Sequence, residues 1–233
     1  MQDEDATRNT QDAKRNPTPF VSLQGTEAAQ PRPIAAIVLA AGTSSRHGGT
    51  NKLLLPFRDG TVIRSTVQVV RNAGIAHVVV VTGHERQRIE AALATLPVTF
   101  VHNPRYREGE MLSSIKAGLT HLQATDAEAA FIVPGDQPLL PAWLLRRIRQ
   151  AFEQGCGEII APKFGDVRGH PVLIARRWWP AALALPDGAQ MRMLLRANPQ
   201  AVAHILVNTD AVLLDVDTPE AYQRALERSG IEN

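Results

Sequence analysis

From Ile34 to Glu153 the chain alternates between short, unbroken apolar runs and longer amphipathic stretches. The runs IAAIVLA (34–40), HVVVVT (77–82), VTFVH (98–102) and AAFIVP (129–134) are strand-length and lack a consistent polar face. That pattern marks strands covered on both sides of a sheet. Helical periodicity over roughly 61–73, 84–95, 111–123 and 141–153 separates them. Strand and helix in strict alternation predict right-handed βαβ units. The expected fold is therefore α/β: a doubly wound, three-layer α/β/α sandwich on a Rossmann-like, mostly parallel sheet.

After Gly157 the rhythm shortens. EIIAP (158–162), HPVLIA (170–175), AVAHILV (201–207) and AVLLDV (211–216) read as strands, with helices near 176–184 and 188–197. The turn Asn208–Thr209–Asp210 predicts a hairpin between the last two strands, which would make the sheet mixed. A final helix is expected from Pro219, with Thr218 as its cap. Residues 34–233 thus form one domain. Residues 1–33, polar and aperiodic, cannot bury enough apolar surface to order themselves and are expected to be a tail.

Composition narrows the function. With 44% apolar and 21% charged residues and a formal charge of +2, the chain has material for one core and no basic block of the kind nucleic-acid binding uses. No run approaches the ~20 apolar residues of a membrane span. The N-terminus lacks a secretory apolar region, so the cytoplasm is the expected compartment. The one cysteine, Cys156, lies between Gly155 and Gly157 and reads as an ordinary turn thiol.

The first apolar run opens into LAAGTSSRHGGTNKLLLP (39–56). This loop leaves the carboxyl edge of a parallel strand, where open α/β sheets bind ligands. Ala40, Ala41 and Gly42 leave the backbone bare enough for a base or sugar to approach. Ser44, Ser45, Gly48 and Gly49 can turn their N–H groups toward an anion, and Arg46 and Lys52 add cations suited to a triphosphate. The alternative is a flexible turn with incidental charges, since neither GxGxxG nor GxxxxGK[ST] occurs.

GDQPLLP (135–141) puts Asp136 at the same edge, after the fourth strand. A carboxylate there is suited to holding Mg²⁺ against phosphate oxygens; the alternative is a turn residue before Pro138. HNPRYREGEMLSSIKAGL (102–119) offers Asn103, Ser113 and Ser114 to a base or ribose, or simply caps a helix. In DVDTPEAY (215–222), Asp217 precedes the last helix, and Asp215 is expected to face away from it. Arg168, Gly169 and His170 stand at a turn before a strand, a place where a histidine beside a proline is commonly structural.

Taken together these stretches resemble the MobA-like NTP transferases, and within them the molybdenum cofactor cytidylyltransferases. The glycine-rich loop departs from that pattern at His47, where methionine is usual, and the serines of 102–119 stand one residue further from the glycine. The resemblance implies a nucleotide-diphospho-sugar transferase type of fold and nucleotidyl transfer from CTP to a molybdopterin-type acceptor, with Mg²⁺ as cofactor. It makes Lys52, Arg46 and Asp136 catalytic and Asp136 and Asp217 metal ligands. It assigns the nucleotide to Leu39, Ala40, Ala41, Gly42, Ser44, Ser45, Arg46, Gly48, Lys52, Asn103, Ser113 and Ser114. Arg168, Gly169 and His170 become acceptor-binding residues. The implied partners are CTP or another NTP, the acceptor, and a client molybdenum enzyme or its chaperone. Three readings stay open: this reaction, the same chemistry with another nucleotide or acceptor (GTP with molybdopterin, or a sugar- or polyol-phosphate), and a non-catalytic nucleotide or cofactor carrier.

Overall fold

The computed structural model describes residues 32–44, 50–108 and 110–230, so residues 1–31 of the expected tail and the loop centre at 45–49 lie outside the described residues, while Arg32 pairs with Glu128 at 2.6 Å. The elements run β1 (Ile34–Ala40), β2 (Pro56–Phe57), β3 (Gly60–Thr61), α1 (Val62–Asn72), β4 (His77–Thr82), α2 (Arg86–Leu93), β5 (Thr99–His102) and α3 (Glu110–Leu122). They continue through β6 (Ala129–Pro134), α4 (Ala142–Glu153), β7 (Ile159–Phe164), β8 (Val167–Arg168), β9 (Val172–Ala175), α5 (Trp179–Leu183), α6 (Met191–Ala197), β10 (Val202–Val207) and α7 (Pro219–Ser229).

The described residues form an eight-stranded sheet in the order β10-β7-β9-β6-β1-β4-β5, with β8 paired to β7. Strands β6, β1, β4 and β5 are parallel neighbours, as are β7 and β10. Only β9, inserted antiparallel between β6 and β7, and β8 run against them. The sheet is mixed, as expected, but for a different reason. The predicted hairpin is absent: β10 pairs with β7 alone, and Asp210–Leu213 is a 3-10 turn. The Thr209 side chain accepts the Ala211 N–H and starts that turn, which then buries Ala211 and Val212. An apolar run of this length served a turn that seals the core, a case in which hydrophobicity alone does not distinguish strand from helix.

Strand β1 explains the layering. Ala36, Val38 and Ala40 face one core, shared with Val67 of α1, Ile89 of α2 and Leu144 of α4. Ala35 and Ile37 face the other, shared with Leu119 of α3, Trp179 of α5 and Leu194 of α6. Such alternation is what a strand with helices on both faces requires. Trp179 is buried and donates its indole N–H to the Ile174 carbonyl, while the Trp178 indole donates to Glu158, so both tryptophans serve packing. The chain moves from β1 to β4 and β5 on one side and returns to β6 on the other. The crevice between β1 and β6 is therefore the topological switch point, where such sheets take their ligands.

Candidate active site

Backbone hydrogen bonds hold three distant segments together at this crevice. Gly135 N–H donates to the Leu39 carbonyl at 3.0 Å, joining the ends of β6 and β1. Val216 N–H donates to the Asp136 carbonyl at 3.0 Å, joining the segment before α7 to them. Only glycine fits at 135: an added Cβ would stand 2.6 Å from the Leu39 carbonyl oxygen and 2.9 Å from Ile63 Cδ1. That close approach delivers Asp136 to the rim of the loop that follows β1.

Lys52 arrives from the other side. Asn51 is buried and caps the 3-10 turn Lys52–Leu54, its Oδ1 accepting the Leu53 N–H at 3.1 Å. Ser44, in the left-handed region with φ of 52°, accepts the Lys52 N–H at 3.2 Å and donates its hydroxyl to Asn51. So fixed, the Lys52 ammonium bonds both Asp136 and Asp217. Burial works against the lysine's charge, yet the attraction of Asp136 and Asp217 together outweighs it and holds its pKa above the ordinary lysine value.

Asp215 joins the same cluster. One carboxylate oxygen from each of Asp136, Asp215 and Asp217 lies within 4.8 Å of the others. The expectation that Asp215 faces away is corrected. Residues two apart in extended chain share a face, and here Val216 between them is the one turned into the core. Burial raises the Asp215 carboxyl above its ordinary range, followed by repulsion from Asp217 and Asp136, with Lys52 only partly compensating.

A cleft of about 500 Å³ opens in front of this cluster, lined by Leu39, Ala41, Gly42, Ser44, Lys52 and Asp136 among others. Nothing stands within 4 Å of where a Cβ on Gly42 would be. Ser114 lines the cleft too, but Asn103 does not: its Nδ2 donates to Ser113 at 2.8 Å and Ser114 at 3.0 Å, and its Oδ1 accepts the Arg105 N–H. Asn103 thus pegs the start of α3 in place. Ser45, Arg46 and Gly48 lie outside the described residues. Tyr106 and Arg107 on the far wall were not singled out in the sequence; Arg107 lies 5.5 Å from the Tyr106 ring centroid, so the RYR run of 105–107 was the available signal. Asn51 was missed as well, although it precedes the key lysine.

A second cleft, of about 440 Å³, lies beside the first and shares Met111 with it. Arg168, Gly169 and His170 line it as a group, together with Arg192 and the apolar side chains of Ile132, Ile159 and Ile174. His170 N–H donates to the Val212 carbonyl at 3.0 Å, so the 3-10 turn that replaced the predicted strand holds this wall. Arg105 pairs with Asp187 at 2.7 Å and Lys116 bonds the Leu185 carbonyl, which ties the segment before α6 to α3 and to the loop ahead of it.

A doubly wound sheet with a carboxylate cluster, a lysine and a cleft of about 500 Å³ at its switch point is the architecture of a nucleotidyltransferase. The MobA-like NTP transferase domain model matches residues 36–205, and the chain belongs to that family. It is 30% identical over 196 residues to the molybdenum cofactor cytidylyltransferase of Escherichia coli (strain K12), covering 84% of this chain and 96% of that one. It is also 29% identical over 201 residues to nicotine blue oxidoreductase of Paenarthrobacter nicotinovorans, covering 83% and 96%. Among solved structures, Rv0371c from Mycobacterium tuberculosis H37Rv superposes with a TM-score of 0.72 at 30% identity, over 84% of this chain and 98% of that one. No helix among the described residues is long and apolar enough to cross a membrane.

Proposed function

We propose that this enzyme transfers CMP from CTP to the terminal phosphate of a molybdopterin-type acceptor, releasing pyrophosphate, in the cytoplasm. The observation that carries the reading is the meeting of Lys52, Asp136, Asp215 and Asp217 at one cleft edge. The similarity to the Escherichia coli cytidylyltransferase supports the choice of nucleotide and acceptor.

The carboxylate cluster fits a divalent cation. Its donors are all hard oxygens, and a positive group, the Lys52 ammonium, already sits against two of them. Rv0371c has been solved in complex with manganese, with a TM-score of 0.68 at 29% identity over 84% of this chain and 98% of that one, which supports the assignment. Asp136, Asp217 and Asp215 would hold Mg²⁺, which when bound neutralises the triphosphate and aligns the reacting groups.

The chain's own residues do the rest. Two anions must meet and charge grows on the departing pyrophosphate, so positioned cations supply most of the rate enhancement. Lys52 stabilises the α-phosphate as it is attacked, and Arg46 holds the leaving pyrophosphate. Leu39, Ala40, Ala41, Gly42, Ser44, Ser45 and Gly48 carry the nucleotide, with Ser114 at its edge and Asn103 and Ser113 behind it. Arg168, Gly169 and His170 receive the acceptor. No side chain need remove a proton, because a phosphate monoester with a second pKa of about 6 is already ionised near neutral pH.

A matrix of nucleotides against acceptors, read by magnesium-dependent pyrophosphate release, tests this reading. CTP with molybdopterin is expected to be the productive pair. Turnover with a different pair, and none with this one, overturns the assignment while leaving the chemistry intact.

A further inference from the structure

Among the described residues, Asn51 Nδ2 and Glu85 Oε2 are buried side-chain atoms without a hydrogen-bond partner. Native folds leave few such atoms, and each one needs a reason. One of these is a donor and the other an acceptor, and neither residue lines the first cleft. The backbone explains how Glu85 comes to face inward. It stands at the N-cap of α2, yet its carboxylate makes no capping bond. Its φ is 48°, a left-handed conformation that a residue with a side chain keeps only where its surroundings impose it. The carboxylate is therefore divided: Oε1 accepts from Arg88, while Oε2 is turned into the protein.

Asn51 is what lies on that inner side. Helix α2 packs against the 3-10 turn Lys52–Leu54 that Asn51 caps. The Arg88 guanidinium holds the Glu85 carboxyl below its ordinary value; burial opposes this, and the Asn51 amide adds to the lowering. Asn51 Oδ1 is fixed by two donors, the Leu53 N–H at 3.1 Å and the Ser44 hydroxyl at 3.4 Å. That fixes which end of the amide is the donor, and it leaves Nδ2 for Glu85. Ser44 Oγ in turn accepts the Lys52 N–H at 3.2 Å. A continuous polar chain thus runs from Glu85 through Asn51 and Ser44 to the backbone of Lys52.

We propose that Glu85 is a positioning residue for Lys52: its inner carboxylate oxygen anchors the Asn51 amide, and through Asn51 and Ser44 it aims the lysine at Asp136 and Asp217. Small displacements of a reacting group are costly in rate, so an anchor one residue removed from the lysine matters to turnover. That catalytic meaning rests on the transfer reading above; the anchor itself does not.

Amide hydrogen exchange of the full-length chain, followed by NMR, tests the anchor without turnover. In Glu85→Ala the Lys52 and Leu53 amides, which bond Ser44 and Asn51, should exchange at least tenfold faster, while those of β1 and β4 keep wild-type rates. Glu85→Gln still offers Asn51 an oxygen and should restore protection to within threefold of wild type. Arg88→Ala should leave it intact. Unchanged exchange at both amides in Glu85→Ala removes the anchor, and protection lost across β1 and β4 as well makes Glu85 a general structural residue. In the kinetic arm, Glu85→Ala lowers kcat at least tenfold with the acceptor KM within twofold of wild type, and Glu85→Gln recovers kcat to within threefold. The loss should vanish in Asn51→Ala and Lys52→Ala backgrounds, because the anchor acts only through those residues. An unchanged kcat, or a loss that adds in full in either background, overturns the proposal. Failure of every nucleotide and acceptor pair to turn over sinks the transfer reading alone, since exchange rates still decide the anchor.

Discussion

The two clefts share one sheet but treat charge in opposite ways. In the first, Lys52 is answered by Asp136 and Asp217 within the protein. In the second, Arg168 has cationic neighbours and no acid partner among the described residues. In the first, the lysine is fully answered, with a third acid to spare, and partners must be exchanged when substrate arrives. The second is left with uncompensated positive charge. A site that drives charge redistribution benefits from groups already oriented toward one another, because no reorganisation is then spent during reaction. A site that only holds a molecule has no such need.

This contrast breaks most readily at Lys52. Lys52→Ala and Asp136→Asn should each lower kcat by about 10²–10³, the loss seen when one preorganised stabilising group is removed from a transition state. Arg168→Gln should leave kcat at saturating acceptor near wild type. Single-turnover rates with radiolabelled CTP measure this, and an equal loss of kcat in Arg168→Gln would erase the distinction between the clefts.

The next largest effect is on stability and comes from the first cleft alone. Gly135→Ala forces a Cβ against the Leu39 carbonyl and Ile63, and overpacking of this kind costs about 1–3 kcal/mol. Gly42→Ala meets open space, so its unfolding free energy should stay within about 0.5 kcal/mol of wild type while its nucleotide KM rises. Urea denaturation of the two variants decides whether the cleft's backbone is tight behind and bare in front.

The sequence made the first cleft far more legible than the second. Strands β1, β4 and β6 run over the residues their apolar patterns indicate, because a strand buried on both faces announces itself without a partner. Lys52 and Asp136 were recoverable because each follows a strand at the same sheet edge, whereas Asp217 was reached only through the family resemblance. The second cleft depends on contacts that no local pattern encodes. The run at 211–216 resembles a strand, yet its place is set by Val212 accepting the His170 N–H from a distant turn. Arg196 is an exposed residue of α6, and only the placement of β8 brings Arg168 within reach of its charge. Asn103 illustrates the converse: its spacing suggested a ligand contact, and its amide is spent on Ser113 and Ser114.

Asp215 tests how far the first cleft's completeness extends. It is the acid of the cluster that Lys52 does not bond directly, and it is the most exposed of the three. Asp215→Asn should weaken the apparent affinity for Mg²⁺ about tenfold, in the range found for groups that support metal ligands, and leave kcat at saturating metal within a few-fold. Magnesium titrations of turnover separate this from Asp217→Asn, where kcat itself should fall. An Asp215→Asn enzyme with wild-type magnesium dependence would confine the metal site to two acids.

The smallest expected effect belongs to the second cleft and follows from its uncompensated charge. Burial lowers the pKa of His170 below its ordinary 6.5, with Asp136 opposing and Arg168 reinforcing the shift. His204 is lowered as well, by burial and then by Lys163 and Arg168. Both imidazoles therefore stay neutral in the folded chain over a range where the unfolded chain takes up protons. Below about pH 6.5 the unfolded state binds more protons, so the stability contributed above that pH is lost as pH falls toward the folded-state values. Melting temperatures between pH 7.5 and 5 should decline less steeply in a His170→Asn/His204→Gln variant than in the wild type. Arg168→Gln should flatten the decline too, since its charge depresses both histidines. A slope that survives all three substitutions would mean that acid sensitivity arises elsewhere, and that the arginine cluster imposes no measurable electrostatic load on the fold.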